Sequence, residues 1–111
     1  MFNHAQLDVT ASAQSILAAL GITADGLGHG TQVEWISLQP HPSNAAAVFL
    51  GGSTVTTSSY GIRLEIPVTS VPQAPLVFDG LSSGRGLIGL GSLYFVGTAS
   101  DKLNVVYKLA V

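Results

Sequence analysis

The sequence predicts an all-β fold, an antiparallel β-sandwich of jelly-roll-like form with about seven or eight short strands. Three observations carry this reading. Apolar and polar residues alternate over 103–109 and again over 60–66, the period of a half-buried strand. Thirteen glycines and five prolines cut the chain into short runs of strand length. No long stretch holds a helical period. With 111 residues the chain makes one domain, with a native surface of about 5,800 Å² and one core. The expected division is an N-terminal arm over 1–8 and a single sandwich over 9–111.

Residues 1–7, MFNHAQL, read as an arm with Phe2 as its apolar anchor. Residues 8–20 support two readings. Ala11, Ala13, Leu17, Ala18, Ala19 and Leu20 suit a helix closed by Gly21, whereas Val9-Thr10 and the alternating small polar residues suit a strand. Four glycines and Asp25 make 21–31 a loop. Residues 31–38 are a strand with Val33, Trp35 and Ser37 on one face and Glu34, Ile36 and Leu38 on the other. Two prolines in three positions, Pro40 and Pro42, end it.

The stretch 44–66 carries a hairpin. An apolar run over 45–50 ends in Gly51-Gly52, and a second run starts at Tyr60. Between them, six of the seven residues 53–59 bear hydroxyls. That composition predicts an extended, partly exposed connection whose hydroxyls satisfy local backbone groups. Pro67, Pro72 and Pro75 break the next piece, and 76–78 is a short strand. Residues 79–92 hold five glycines, with Arg85 their only cation. Residues 93–96 are apolar throughout, as a strand covered on both sides would be. A turn at 97–101 leads to the last strand, with Leu103, Val105, Tyr107 and Leu109 on one face.

Charge narrows the function. Asp, Glu, Lys and Arg make up 9% of the chain, against about 25% in ordinary soluble domains. Net charge is only −2 and mean hydropathy is positive. A free monomer relies on charge to stay unassociated, so part of this surface is expected to face protein. Four Lys and Arg in all make no basic footprint for nucleic acid. No run of about 20 apolar residues offers a membrane span, and the first residues lack the positive start of a signal peptide. Without cysteine there are no disulfides or thiolate metal sites.

The motif matches carry little chemistry. Gly80-Leu-Ser-Ser-Gly84 fits the letters of a nucleophile elbow, but no histidine follows it and the chain is too short for the α/β fold that motif needs. Gly84-Arg-Gly-Leu-Ile-Gly89 fits G-x-G-x-x-G without the βαβ context or the distant acidic residue. In both, the glycines read as loop formers, with Arg85 placed to meet a carboxylate on a neighbouring molecule. His4, His29 and His41 lack ligand spacing. Glu34 and Glu65 could face one another only if their strands were neighbours. Trp35 reads as a packing residue, with a carbohydrate-stacking platform as the alternative. No catalysis and no cofactor are expected.

The middle of the chain resembles small virion structural modules of tailed phages. The resemblance rests on Val33-Glu-Trp-Ile-Ser-Leu-Gln-Pro, on Ala47-Val-Phe-Leu-Gly-Gly-Ser, and on Val55-Thr-Thr-Ser-Ser-Tyr-Gly-Ile-Arg-Leu. Leu93-Tyr-Phe-Val-Gly-Thr-Ala and Asn104-Val-Val-Tyr extend it, so that it covers roughly 9–107. The family's turn after the G-I-x-L strand is replaced here by Pro67-Val68 and a Pro-rich piece, and 79–92 looks like an insertion. The resemblance tips 11–20 toward a strand. It implies a virion structural protein, foremost a capsid decoration (cement) protein on the outer capsid surface. Its partners would be the major capsid protein and further copies of itself in a homotrimer. A tail, baseplate or fibre component touching host glycan through Trp35 or Tyr60 is the alternative. The residues expected to reach partners are Phe2 and His4 on the arm and Leu81, Arg85, Leu87 and Ile88 in the Gly-rich loop.

Overall fold

The computed structural model describes residues 2–21, 32–66, 75–79 and 88–109. They form two antiparallel sheets with very little helix. In chain order the elements are β1 (Phe2–Asp8), β2 (Gln14–Ser15), α1 (Ile16–Leu20), β3 (Gln32–Pro40), β4 (Val48–Gly51), β5 (Ile62–Leu64), β6 (Leu76–Asp79), β7 (Ile88–Gly89), a 3₁₀ turn (Leu90–Ser92), β8 (Tyr94–Val96) and β9 (Lys102–Leu109). One sheet runs β1-β9-β3-β6, with β7 also pairing to β3, and the other runs β2-β8-β4-β5. The pairs β1·β9, β2·β8, β3·β6 and β4·β5 nest inside one another, like a ribbon whose closed end is the β4–β5 hairpin.

The alternating strands place the core. Leu103 and Val105 of β9, Ile36 and Leu38 of β3 and Leu7 of β1 point to one side of the first sheet. They meet Val48 and Leu50 of β4, Leu64 of β5 and Phe95 of β8 from the second. The reading of 93–96 as doubly covered holds. Phe95 packs in this core, while Val96, on the opposite face, packs with Ala47, Phe49 and Val55.

Three local expectations change. Residues 2–8, expected as an arm, are an edge strand paired to β9 along their whole length. The reason is long-range: Leu7 finds a buried place opposite Leu103. Residues 16–20 form a short helix rather than a strand. Ser15 Oγ accepts from the Ala18 N–H at 3.1 Å, and Gly21 closes the helix at φ 73°, a conformation glycine adopts without penalty. Only Gln14–Ser15 pairs as a strand, with β8. In β3 the register shifts between Val33 and Trp35. This bulge at Glu34 adds one residue to the strand, so Val33 is buried with Ile36 and Leu38 rather than facing away from them.

The 52–60 connection is more compact than an extended link. Val55 N–H donates to Gly52 O and Thr56 N–H to Ser59 O, while Thr56 Oγ1 accepts from the Ser58 and Ser59 N–H groups. The hydroxyl thus does satisfy local backbone. The connection folds Val55 over the outer face of the second sheet, against Phe49 and Val96. Tyr60 adds its ring 4.7 Å from that of Phe49, and the Arg63 guanidinium lies 5.6 Å over the same ring.

Close approach also fixes Gly97. A Cβ there would stand 2.9 Å from Val9 Cγ1 and 3.3 Å from the Ala47 carbonyl oxygen. Gly97→Ala should therefore destabilise by about 1–3 kcal/mol through overpacking, read as a lower urea midpoint at unchanged slope. Wild-type stability in this variant would show that the two chain segments can separate freely.

Candidate functional site

The two sheets differ in what covers their outer faces. The second sheet is roofed by its own 52–60 connection. Among the described residues nothing plays that part for the first sheet. Its outward side chains are Phe2, His4, Gln6 and Asp8 from β1, Lys102, Asn104, Val106 and Lys108 from β9, Trp35, Ser37 and Gln39 from β3, and Val77 and Asp79 from β6. Register sets them in rows: Phe2, Lys108, Trp35 and Asp79 in one, and His4, Val106, Ser37 and Val77 in the next.

This face is apolar for one that meets water. Phe2 is 62% exposed, Val77 44% and Val106 40%. Phe2 reaches across Lys108 to Trp35, their ring centroids 5.5 Å apart and their planes near perpendicular, the edge-to-face arrangement that aromatic pairs favour. Trp35 is therefore not a core residue. The bulge at Glu34 sets the phase of β3 so that Val33 and Ile36 point inward and Trp35 outward. The few charges on the face are largely spent on each other: Lys102 pairs with Asp8, and Lys108 Nζ lies 3.0 Å from Glu34 Oε2. Gln6 Nε2 donates to Asn104 Oδ1 at 3.2 Å. Exposed pairs of this kind add little stability, but they leave the patch without strong net charge.

Of the residues expected to meet partners, Phe2 and His4 stand together on this face. Ile88 lies in β7, its backbone beside Val33. Leu81, Arg85 and Leu87 lie outside the described residues, as do His29, the G-x-S-x-G letters of 80–84 and all but the last two residues of the G-x-G-x-x-G match over 84–89. Val77 and Val106 were missed because each sits in a strand whose apolar residues look inward by default. The parity of β9, with Leu103 and Val105 inside, was the signal that Val106 faces out.

The other candidate groups are committed elsewhere. Glu34 and Glu65 do not face each other: β3 and β5 belong to different sheets, and Glu65 lies 2.5 Å from Arg63 Nε. His41 Nδ1 accepts from the Ser43 N–H within its own loop. A cleft of about 260 Å³ opens between β3, β5 and β6, with the Arg63–Glu65 pair in its wall. Among the described residues no group of three His, Cys, Asp or Glu side chains could hold a metal ion, and no helix is long and apolar enough to cross a membrane.

One buried polar arrangement holds the frame beneath this face. Asp101 is 7% exposed, and its carboxylate accepts from the Ala45 N–H at 2.9 Å and the Ala46 N–H at 3.2 Å. Beside it, Asn44 donates through Nδ2 to Lys102 O and accepts from the Lys102 N–H, both at 2.8 Å. Together they tie the β3–β4 connection to the start of β9.

The arrangement of the open face supports recognition of a flat surface rather than enclosure of a small molecule, because the apolar groups lie on a sheet and not in a cavity. Compared with models of known protein families, with curated proteins and with solved structures, the chain finds no match.

Proposed function

We propose that this chain is a non-enzymatic virion structural protein, a capsid decoration protein that attaches as a homotrimer to the major capsid protein on the outer shell. One observation carries the reading: among the described residues nothing covers the outer face of the β1-β9-β3-β6 sheet, which bears Phe2, Trp35, Val77 and Val106. Exposed aromatic and aliphatic side chains gathered on one face, interleaved here with Lys108, Ser37 and His4, favour an interaction site. The low charge of the whole chain points the same way, since interface centres are depleted in charge and enriched in aromatics. A chain of 11.4 kDa can present a standard interface of about 800 Å² per partner, and repetition over a shell multiplies weak contacts into firm attachment.

The strand order supports a jelly-roll reading. Setting β7 aside, a ribbon that pairs first strand with last and folds across two sheets is the double-sheet wrapping found in viral capsid and lectin domains. The fold alone assigns no function, so weight stays on the face. The outward placement of Trp35, with Tyr60 44% exposed, favours one alternative, a tail or fibre component that touches host glycan.

The test is the position of the chain in an electron-microscopy map of the particle whose genome encodes it. Density dispersed over the shell with icosahedral repetition is the expected result. Density confined to the tail favours the alternative, and absence from purified particles overturns both. Val106→Glu checks the face itself. It should leave the unfolding free energy within about 0.5 kcal/mol of wild type yet weaken binding to undecorated particles by roughly 30-fold, as loss of a central contact does. Unchanged binding would move the contact off this face.

A further inference from the structure

A second surface is carried by the backbone of β1. Its ladder to β9 alternates, and the phase can be read from the hydrogen bonds around it. Val9 N–H donates to Asp101 O, in the same register as the β1–β9 pairs. The hydrogen-bonded positions of β1 are therefore Asn3, Ala5 and Leu7. The bond from His41 N–H to Lys102 O agrees, because it turns the even positions of β9 toward β3. The N–H and C=O groups of Phe2, His4, Gln6 and Asp8 consequently point away from the sheet. Asp8 O is already taken, accepting from Gln14 Nε2 at 2.6 Å. Among the described residues no strand lies beyond β1, which leaves Phe2, His4 and Gln6 with outward ladder groups and no strand to meet them.

Soluble proteins protect such an edge with lysine, proline, a bulge or very short strands. None of these devices occurs here. Residues 2–6 read Phe-Asn-His-Ala-Gln, without a formal charge or a proline, and β1 pairs with β9 in unbroken register.

We propose that β1 pairs antiparallel with β1 of a second copy, about a two-fold axis at His4, joining the two β1-β9-β3-β6 sheets into one. A two-fold contact uses the same patch on both copies, and this patch is self-complementary. Because Gln14 closes the edge at Asp8, the free stretch ends at Gln6. Two stretches of 2–6 overlap fully only when His4 faces His4 of the second copy and Phe2 faces its Gln6. Each opposed pair then exchanges two ladder bonds. The side chains agree with this register. Phe2, largely exposed in the single chain, stands opposite Gln6 of the second copy, and the row Val77, Ser37, Val106, His4 continues into its counterpart. Asp8, the nearest carboxylate, lies outside the overlap, so no like charges are opposed. This contact rests on the edge of the sheet and not on its outer face, and it stands whether or not the chain decorates a particle.

Cysteine substitution in the full chain tests it, since the chain has no cysteine of its own. In the proposed register the two Cα atoms at position 4 are about 5.5 Å apart, within disulfide reach. The two at position 6 are separated by four residues of strand, about 13 Å. Under mild oxidation at micromolar concentration, His4→Cys should give a covalent two-chain band on a denaturing gel, and Gln6→Cys at least tenfold less. Equal yields, or none from His4→Cys, overturn the proposal. His4→Pro supplies a second readout. Its N–H points outward, so the β9 ladder is kept and the unfolding midpoint should hold, while the mass by sedimentation should fall by half relative to wild type. A folded His4→Pro variant with unchanged mass also overturns it.

Discussion

Phe95→Ala is expected to lower stability by about 3–5 kcal/mol, the usual cost of removing a fully buried aromatic ring and leaving the space it filled. Phe95 is 0% exposed and occupies the middle of β8, between Gln14 of β2 and Leu50 of β4. Its ring belongs to the cluster in which Leu103 and Val105 from the first sheet meet Val48 and Leu50 from the second. Small domains are stable by about 5–15 kcal/mol in total, so this single truncation would remove a large share of the margin. Chemical denaturation is the measurement, with the midpoint falling and the slope unchanged. Phe95→Leu, which keeps most of the apolar volume, should lose on the order of 1–2 kcal/mol. A loss below about 1 kcal/mol for the alanine variant would mean that the two sheets do not share this core.

The second large effect is polar. Asp101→Ala should cost about 2–3 kcal/mol, because it removes the buried charged acceptor that serves both the Ala45 and the Ala46 N–H groups. The two bonds, at 2.9 and 3.2 Å, hold the start of the β4 segment against the turn before β9. That turn has its own constraint. Asp101 N–H donates to Thr98 O at 3.1 Å, and Ser100 sits at φ 77°, a backbone region that side chains disfavour. Asp101→Asn retains one acceptor oxygen and should lose roughly half as much. Amide hydrogen exchange supplies the local check. Protection of the Ala45 and Ala46 amides should fall in the alanine variant beyond what the change in global stability accounts for. An unchanged midpoint with unchanged exchange at these amides would show that the carboxylate is dispensable.

Asp101 also shows where sequence reading stops. In the chain it is one acidic residue in a small-residue turn, and nothing local distinguishes it from Asp79. Its role depends on Ala45 and Ala46, more than fifty residues earlier in the chain. Asn44 is the same case: its reciprocal bonds to Lys102 span 58 residues. The short α1 helix differs, because its signals are local. Ser15 before it and Gly21 after it are ordinary capping residues, and they outweigh the family resemblance, which points to a strand there.

The sequence by itself determined the class and the strands β3, β4, β5, β6, β8 and β9. Period-two alternation in β9, the apolar run of β8 and the turn residues around 51–52 and 97–101 are local consequences of side-chain direction and backbone sterics, and these need no distant partner to be read. The tertiary structure alone decided which apolar residues stay in view. Alternation says that a strand has two faces but not which face finds a cover. Val55 folds back over Phe49 and roofs one sheet, while Phe2, Trp35 and Val106 lie on the other without a roof among the described residues. The bulge at Glu34 likewise turns Trp35 outward only because Val33 and Ile36 both gain buried places. Burial is decided by contacts far apart in the chain, and the partner-facing surface is what those contacts leave over.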